Sequence, residues 1–139
     1  MSKTISQKVV FKNTTTKALY DLYMNARLHS MIAGGPVKIV AKAGTKFSAF
    51  GNSIRGKNLY LVKNRQIVQT WRGGDWNKKE PDSIFMISLE QKEKDVLLNM
   101  VHGFLPDKEM AGIKKGWFDY YWNPWKQYIS GKTITRSGM

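Results

Sequence analysis

The sequence predicts an α+β protein in which a curved antiparallel sheet of about six to seven strands wraps around one long C-terminal helix. Two observations predict this architecture: a central block of short β-rich segments joined by turns, and a final aromatic segment with helical spacing. Strands joined by short turns form an antiparallel meander, which must cover its apolar face. The C-terminal helix is the expected cover, and we expect a cavity between helix and sheet.

The first quarter of the chain predicts one strand followed by two short helices. Residues 4–12, TISQKVVFK, are rich in β-branched side chains and partly alternate, which is typical of a strand. Residues 13–26 follow as a helix, because any of Asn13 to Thr15 can cap its N-terminus. A second short helix is expected before Gly34-Gly35-Pro36, since glycine and proline end helices.

The segment from residue 37 to 104 predicts about six strands. Lys63-Asn64 forms one tight hairpin turn, and the polar run KEKD at residues 92–95 forms another. Between these turns a polar loop, GDWNKKEPDS, carries Trp76. The predicted strands are VKIVA, GTKFSAFG, SIRGKNLYLV, RQIVQTWRG, SIFMISLEQ and DVLLNMVHGF.

The final segment, residues 106–129, predicts a long helix that Asp107 can cap. Seven aromatic side chains lie between Trp117 and Tyr128. Pro124 is predicted to kink or divide the helix, because proline removes one backbone hydrogen bond. On a regular helix the apolar residues form two neighbouring stripes, namely Trp117, Tyr121 and Tyr128, and Phe118, Trp122, Trp125 and Ile129.

Length and composition indicate one globular domain over residues 1–139, with a frayed tail at residues 130–139. No cysteine is present, which excludes disulfides, thiolate metal ligands and a cysteine nucleophile. The N-terminus lacks an apolar signal-peptide core, and no apolar run approaches the ~20 residues that span a bilayer. We therefore expect a cytoplasmic protein without a membrane span.

The chain is strongly basic, with 23 Lys and Arg residues against 10 Asp and Glu residues and a formal net charge of +13. Such a charge attracts nucleic acid and other polyanions without specificity. The basic residues are spread along the whole chain, and their longest runs are the pairs Lys78-Lys79 and Lys114-Lys115. This distribution favours a solvated basic surface over a specific nucleic-acid face.

Two stretches resemble a known family. Residues 44–76, GTKFSAFGNSIRGKNLYLVKNRQIVQTWRGGDW, resemble proteins similar to the activator of the ninety-kilodalton heat-shock protein ATPase, in the START-like, birch-pollen-allergen-like (SRPBCC) superfamily. Residues 116–129, GWFDYYWNPWKQYI, are similar to the C-terminal helix of that family. His29 and His102 occupy positions where such sequences often carry histidine.

The resemblance implies a helix-grip fold, in which the sheet grips the C-terminal helix around a cavity. In eukaryotic co-chaperones this START-like domain accompanies a separate N-terminal domain that makes the main chaperone contacts. With 139 residues in the sequence, we do not expect that second domain. The resemblance leaves two hypotheses for the function. The chain is either a domain that binds its own ligand or an interaction module with a chaperone partner.

The sequence offers little for catalysis or for a metal. No carboxylate lies beside His29, and the strand of His102 carries only Asp95 near its start, so a Ser–His–acid arrangement has no evident acid. Two histidines without a His-x-Glu pattern make a weak metal site. No Gly-rich phosphate loop is present. We expect no catalytic residue, no metal and no cofactor.

The sequence instead favours an apolar ligand cavity. We expect Trp71, Met86, Met100 and His102 on the concave face of the sheet, since side chains alternate along strands and Met and aromatic groups suit adaptable binding. Core packing is the alternative role for each of these residues, and a hydrogen-bonded core position is the alternative for His102. The remaining candidates are Trp76 from the polar loop, Trp117 and Tyr121 from the helix, and His29 at the cavity mouth.

The function predicted from these observations is non-enzymatic binding of a small apolar or amphipathic ligand under the C-terminal helix. The alternative is a co-chaperone type of interaction module acting through its surface. Nucleic-acid binding through the net charge of +13 is the least favoured of the three functions.

Overall fold

The computed structural model describes residues 2–134, and its seven strands form one curved antiparallel sheet. The strands are β1 (Ser2–Phe11), β2 (Val37–Lys38), β3 (Lys46–Ala49), β4 (Ile54–Val62), β5 (Gln66–Gly73), β6 (Ser83–Lys92) and β7 (Asp95–Pro106). Their order across the sheet is β1-β7-β6-β5-β4-β3-β2, with every neighbouring pair antiparallel. The predicted meander is therefore confirmed, and β1 joins it at the far edge. The predicted frayed tail, residues 130–139, lies partly outside the described residues.

Two short helices follow β1, as predicted, and side-chain caps define where each begins. In α1 (Thr16–Met24), the Thr15 hydroxyl oxygen accepts a hydrogen bond from a backbone N–H of the first turn at 3.1 Å. The side chain of Asn25 caps α2 (Ala26–Ala33) in the same way. Gly34 ends α2 with a φ of 88°, a left-handed conformation that glycine adopts without strain.

The C-terminal helix runs from Asp107 to Ile129 and changes its hydrogen-bond pattern along its length. Its four consecutive segments are a 3₁₀ turn (Asp107–Glu109), α3 (Met110–Trp117), a π-helical turn (Phe118–Trp122) and α4 (Asn123–Ile129). In the π turn, the backbone N–H of Asn123 donates to the carbonyl of Phe118, five residues earlier. The helix continues through this π turn, so the irregularity near Pro124 is a change of hydrogen-bond pattern and not the predicted kink or division.

The strand register decides which side of the sheet faces the helix. Phe85 pairs with His102 and Ile87 pairs with Met100, and all four side chains are buried. Met86 lies between Phe85 and Ile87 and therefore points to the opposite, outer face. The prediction that Met86 faces the helix is wrong, because both faces of β6 are apolar and the sequence alone does not define its inner side.

The outer face carries a row of apolar side chains across four strands. Tyr60 pairs with Val68, Val68 with Met86, and Met86 with Val101. We call these four residues the outer ladder. Tyr60 is 56% exposed and Val101 is 36% exposed, so this row is not covered by another part of the described chain.

A bulge near the end of β7 moves Phe104 to the outside. The alternation along β7 predicts that Phe104 shares a face with His102. In the structure, Lys3 pairs with Leu105 and Ile5 pairs with His102, so Gly103 and Phe104 lie opposite the single residue Thr4 and β7 has one extra residue. Phe104 adopts a φ of 61° and is exposed, because the bulge reverses the alternation after His102.

A chain of buried polar groups connects α1 to the middle of the sheet. The Tyr23 hydroxyl donates to Oε1 of Gln69 at 2.8 Å, and Nε2 of Gln69 donates to Oδ1 of Asn58 at 2.7 Å. Nδ2 of Asn58 then donates to the carbonyl of Val40 at 2.9 Å and to Oγ1 of Thr45 at 3.2 Å. Because every member has a partner, the chain stabilises one arrangement of the interior.

We expect Gln69→Leu to lower the free energy of unfolding by about 2 to 4 kcal/mol, because it leaves the Tyr23 hydroxyl and Asn58 Oδ1 buried without a partner. Chemical denaturation measures this loss. The double variant Tyr23→Phe, Gln69→Leu should be destabilised by less than the sum of the two single variants. A strictly additive result would contradict the hydrogen bond between these residues.

Candidate functional site

An apolar groove lies between the N-terminal half of the C-terminal helix and the loop that joins β3 to β4. Its volume is about 310 Å³. Apart from the Trp and Tyr residues, Ser53 is the one lining residue whose side chain carries a polar group. The lining residues are Phe50, Ser53, Ile54, Trp71, Gly112, Ile113, Gly116, Trp117, Tyr120 and Tyr121.

Two glycines on the helix leave space for this groove. A Cβ atom added to Gly112 would meet no other atom within 4 Å, and one added to Gly116 would lie 3.9 Å from a ring carbon of Tyr120. Glycine weakens a helix interior by about 0.5 to 1 kcal/mol relative to alanine. The two glycines therefore lower the stability of the helix, and the space left by their missing side chains forms part of the groove.

The rim of the groove is aromatic. Phe50 in the β3–β4 loop contacts Tyr120 edge to face, with ring centroids 5.5 Å apart. A Cβ atom at Gly35 would lie 2.5 Å from the Phe50 ring, so only glycine allows this ring to pack there. Phe50 itself adopts a φ of 53°, which is uncommon for a bulky residue.

Three ring donors fix the inner wall of the groove to the rest of the protein. Nε1 of Trp117 donates to Nδ1 of His102 in β7 at 3.1 Å. The hydroxyl of Tyr121 lies 2.8 Å from Nε2 of His29 in α2. Nε1 of Trp122 donates to Oε1 of Gln7 in β1 at 2.7 Å. The aromatic face of the helix is therefore tied to both the sheet and α2.

His102 lies within a buried hydrogen-bond chain of fixed direction. An indole N–H can only donate, so Nδ1 of His102 accepts from Trp117 and Nε2 carries the proton. That Nε2–H then donates to Oγ of Ser83 at 2.8 Å, and the Ser83 hydroxyl donates to the carbonyl of Trp71 at 2.6 Å. Burial lowers the pKa of His102 from its ordinary value of 6.5 to about 3.

Ser83 Oγ and His102 Nε2 are as close as a nucleophile and its general base would be. The proton of His102, however, is on the wrong nitrogen for that role. A base must accept the serine proton at the nitrogen that faces the hydroxyl. In this chain that nitrogen, Nε2, already carries a proton, and both residues are fully buried. Trp117 also takes the position where a triad would place a carboxylate.

His29 occupies a second buried hydrogen-bond chain. Its Nδ1 lies 2.8 Å from the carbonyl of Tyr23, so Nδ1 carries the proton and Nε2 accepts from the hydroxyl of Tyr121. Burial lowers the pKa of His29 from 6.5 to about 4, and the bond to Tyr23 opposes part of this shift. Burial likewise raises the pKa of Tyr121. His29 therefore lies behind Tyr121, not at the cavity mouth where the sequence placed it.

The structure brings three of the seven predicted cavity residues to the groove. Trp71, Trp117 and Tyr121 line it. Met100 and His102 are buried on the predicted face but lie in the packed interior. Met86 lies on the outer face, as described above, and is a member of the outer ladder.

Trp76 anchors its loop to the core and does not line the groove. Its ring packs against Trp71 with centroids 5.8 Å apart, and the Arg72 guanidinium lies 5.8 Å from its ring centroid. A Cβ atom at Gly73 would lie 2.4 Å from Nε1 of Trp76. Gly73 therefore provides the space in which this ring lies.

The π turn explains why the predicted helix stripes are partly wrong. Phe118 and Tyr128 were assigned to the apolar side, but they are 37% and 42% exposed. The extra residue of the π turn shifts the helix phase, so that Trp117 and Trp122 stack with centroids 5.5 Å apart. Gly112, Gly116 and Tyr120 also line the groove and were not predicted. The two glycines lie in α3, before the π turn, and a residue without a side chain gives no apolar signal in the sequence.

Within residues 2–134, no group of three or more His, Cys, Asp or Glu residues could hold a metal ion. None of the helices in this described range is long and apolar enough to cross a membrane.

The two buried histidines predict a loss of stability in mild acid. Each histidine has a lower pKa in the folded chain than in the unfolded chain. Its contribution to the free energy of unfolding is therefore complete above pH 6.5 and declines as the pH falls toward its pKa in the folded chain. We expect each histidine to lower the free energy of unfolding by about 2 kcal/mol as the pH falls from 7 to 5. Denaturation of the protein and of His102→Gln across this range measures the effect, and an equal slope in both would contradict it.

Comparisons with known proteins assign the chain to a family. The model of the family described as "Activator of Hsp90 ATPase homolog 1-like protein" matches residues 5–130. The activator of 90 kDa heat shock protein ATPase homolog from Dictyostelium discoideum is 27% identical over 116 residues, which cover 84% of this chain and 30% of that protein. The human homolog 1 is 25% identical over 114 residues and is matched over 33% of its length. The chain thus spans about a third of these curated relatives.

Solved structures share the fold. PFC0360w, an HSP90 activator from Plasmodium falciparum, superposes with a TM-score of 0.79 at 24% identity, covering 96% of this chain and 98% of that one. Ara h 8.0201 superposes with a TM-score of 0.76 at 13% identity, covering 95% of this chain and 100% of that one. The fold is the helix-grip arrangement that the sequence predicted. On the match over residues 5–130, the chain belongs to the Activator of Hsp90 ATPase homolog 1-like family.

Proposed function

We propose that this protein binds a small apolar or amphipathic ligand in the groove between the C-terminal helix and the β3–β4 loop. The observation that carries the proposal is the open apolar volume of about 310 Å³ beside an otherwise packed interior. Ligand sites in proteins are typically concave, largely apolar and formed before the ligand arrives. The groove has these properties, since the hydrogen bonds of Trp117 and Tyr121 fix its wall.

The lining favours recognition by shape and apolar contact over recognition by many polar groups. The hydroxyl of Tyr121 donates to His29, and the indole N–H of Trp117 donates to His102, so both ring donors point away from the groove. Trp71 and Trp117 offer aromatic surface to a ligand, with ring centroids 6.2 Å apart. We therefore propose a ligand that is apolar over most of its length.

Gly116→Leu should abolish binding of such ligands, because a leucine side chain at this position occupies the groove. The helix should tolerate it, since leucine favours helix over glycine by about 0.5 to 1 kcal/mol. Calorimetric titration with decanol measures the affinity of the original protein and of the variant.

Ala111→Leu is the matched control, because it adds the same side chain to an exposed helix position that does not line the groove. This variant should bind decanol like the original protein. Retained binding in Gly116→Leu, with an unchanged helix content, would contradict the groove as the ligand site.

A second candidate function is interaction with a heat-shock ATPase. The family match supports it, and so does the exposed outer ladder of Tyr60, Val68, Met86 and Val101. An exposed row of apolar side chains on a sheet face is typical of surfaces that bind proteins. The two functions use opposite faces of the sheet and can therefore be separated by mutation.

For this second function, we expect Tyr60→Ser with Val101→Ser to weaken binding to the ninety-kilodalton heat-shock ATPase at least tenfold, since it removes the two most accessible ends of the ladder. Val10→Ser is the control, because Val10 is similarly exposed at 46% but lies in β1 outside the ladder. A pull-down and the ATPase rate measure the interaction. No binding by the original protein, with no change in rate, would remove this function.

A further inference from the structure

The strand register gathers four cations on the outer face of the sheet. Lys46 pairs across the strands with Lys57, and Arg55 lies two residues before Lys57 in β4. Lys38 and Arg55 pair with the same residue of β3 from its two sides. Phe47, which follows Lys46, is buried in the core, so alternation places the four cations on the outer face. We call Lys38, Lys46, Arg55 and Lys57 the basic cluster, and all four are exposed.

Two like-charged pairs in this surface are unfavourable for the protein on its own. Lys46 lies directly opposite Lys57, and Arg55 lies directly opposite Arg72. Like charges at such positions destabilise a sheet. The Arg72 guanidinium has a partner, since it donates to Asp82 at 3.1 Å. The side chains of the basic cluster form no ion pair or hydrogen bond within residues 2–134. A bound anion would remove this repulsion.

Two carboxylates line pockets that members of the basic cluster also line. Asp82 belongs to a shallow pocket of about 290 Å³ that contains three members of the cluster, and its charge is neutralised by the ion pair with Arg72. Asp75 lines a recess next to Arg55 and forms no ion pair with it. The four cations of the cluster therefore produce a positive potential over this part of the outer face.

The outer ladder continues this basic surface with an aromatic ring. Tyr60 pairs with Val68, and Lys57 pairs with Thr70. Val68 and Thr70 are alternate residues of β5, so Tyr60 and Lys57 share a face and lie about 7 Å apart along the strands. Tyr60 is 56% exposed. Cations beside an exposed aromatic ring are typical of surfaces that bind single-stranded nucleic acid, because the cations contact phosphates and a base stacks on the ring.

We propose that the outer face of β2 to β5 binds single-stranded nucleic acid, with phosphates on the basic cluster and a base stacked on Tyr60. A single strand fits this flat sheet better than a duplex, whose major groove admits a helix or a two-stranded ribbon. Phosphate and stacking contacts accept any base, so the site does not select a sequence. The basic residues are spread along the sequence, and only the strand pairing brings these four together. This inference goes beyond the proposed function.

The salt dependence of binding to an oligonucleotide of about twelve thymidines tests the role of the phosphates. Each phosphate contact with a single strand adds about −0.7 to the slope of the logarithm of the affinity against the logarithm of the salt concentration. For the four cations of the basic cluster we expect a slope of about −3. Fluorescence anisotropy of the labelled oligonucleotide measures the affinity of the full chain.

Two variants separate the charge contacts from the stacking contact. Lys46→Gln with Arg55→Gln and Lys57→Gln should reduce the slope to about −1 and weaken binding at about 50 mM salt at least tenfold. Tyr60→Leu should keep the slope and weaken binding about tenfold, because it removes the stacking ring without changing the charge. Circular dichroism checks that each variant is folded.

The matched control for the charge variant is Lys108→Gln with Lys114→Gln and Lys126→Gln. These exposed residues lie in the C-terminal helix, which covers the inner face, and their substitution removes the same net charge. The control should keep the slope near −3, since none of its three lysines belongs to the basic cluster.

The inference is overturned if the oligonucleotide does not bind at about 50 mM salt, or if the control loses as much slope as the charge variant. Unchanged binding by Tyr60→Leu overturns the stacked base. Equal or tighter binding of a duplex, or of a glutamate peptide of the same length, also overturns the inference, since the surface then binds polyanions in general. These outcomes do not decide the function of the groove, because decanol binding concerns the opposite face of the sheet.

Discussion

The structure depends on the way in which one aromatic stretch of the C-terminal helix is hydrogen-bonded to three different elements. Trp117 donates to His102 in β7, Tyr121 to His29 in α2, and Trp122 to Gln7 in β1. Each donor is buried, so an unpaired ring N–H or hydroxyl would cost about 1 to 3 kcal/mol. These three bonds favour one position of the helix on the sheet and hold the wall of the groove next to Trp117.

The same bonds explain why the interior is neutral and why the two histidines are structural. His29 and His102 each accept from a ring of the helix and donate to another protein group, so both are fixed as single neutral tautomers. Their low pKa values follow from burial. Within residues 2–134 no Asp, Glu, Lys or Arg side chain is buried, so the charge of this part of the chain lies at its surface.

Much of the fold was predictable from the sequence, because strand alternation, turn residues and helix caps are local signals. The site was less predictable for two physical reasons. Strand β6 is apolar on both faces, so Met86 could be placed only after the register was known. The π turn before Pro124 shifts the helix by one residue, which exposes Phe118 and brings Trp122 onto Trp117. Pro124 was the signal of that irregularity, but it did not specify a π turn.

We propose that a ligand binds between the helix and the sheet, next to Trp71 and Trp117. Intermolecular nuclear Overhauser effects between decanol and the protein test this position. We expect contacts from the alkyl protons to the indole rings of Trp71 and Trp117, and none to the Met86 methyl group on the outer face. Contacts to Met86 in place of the two indole rings would contradict it.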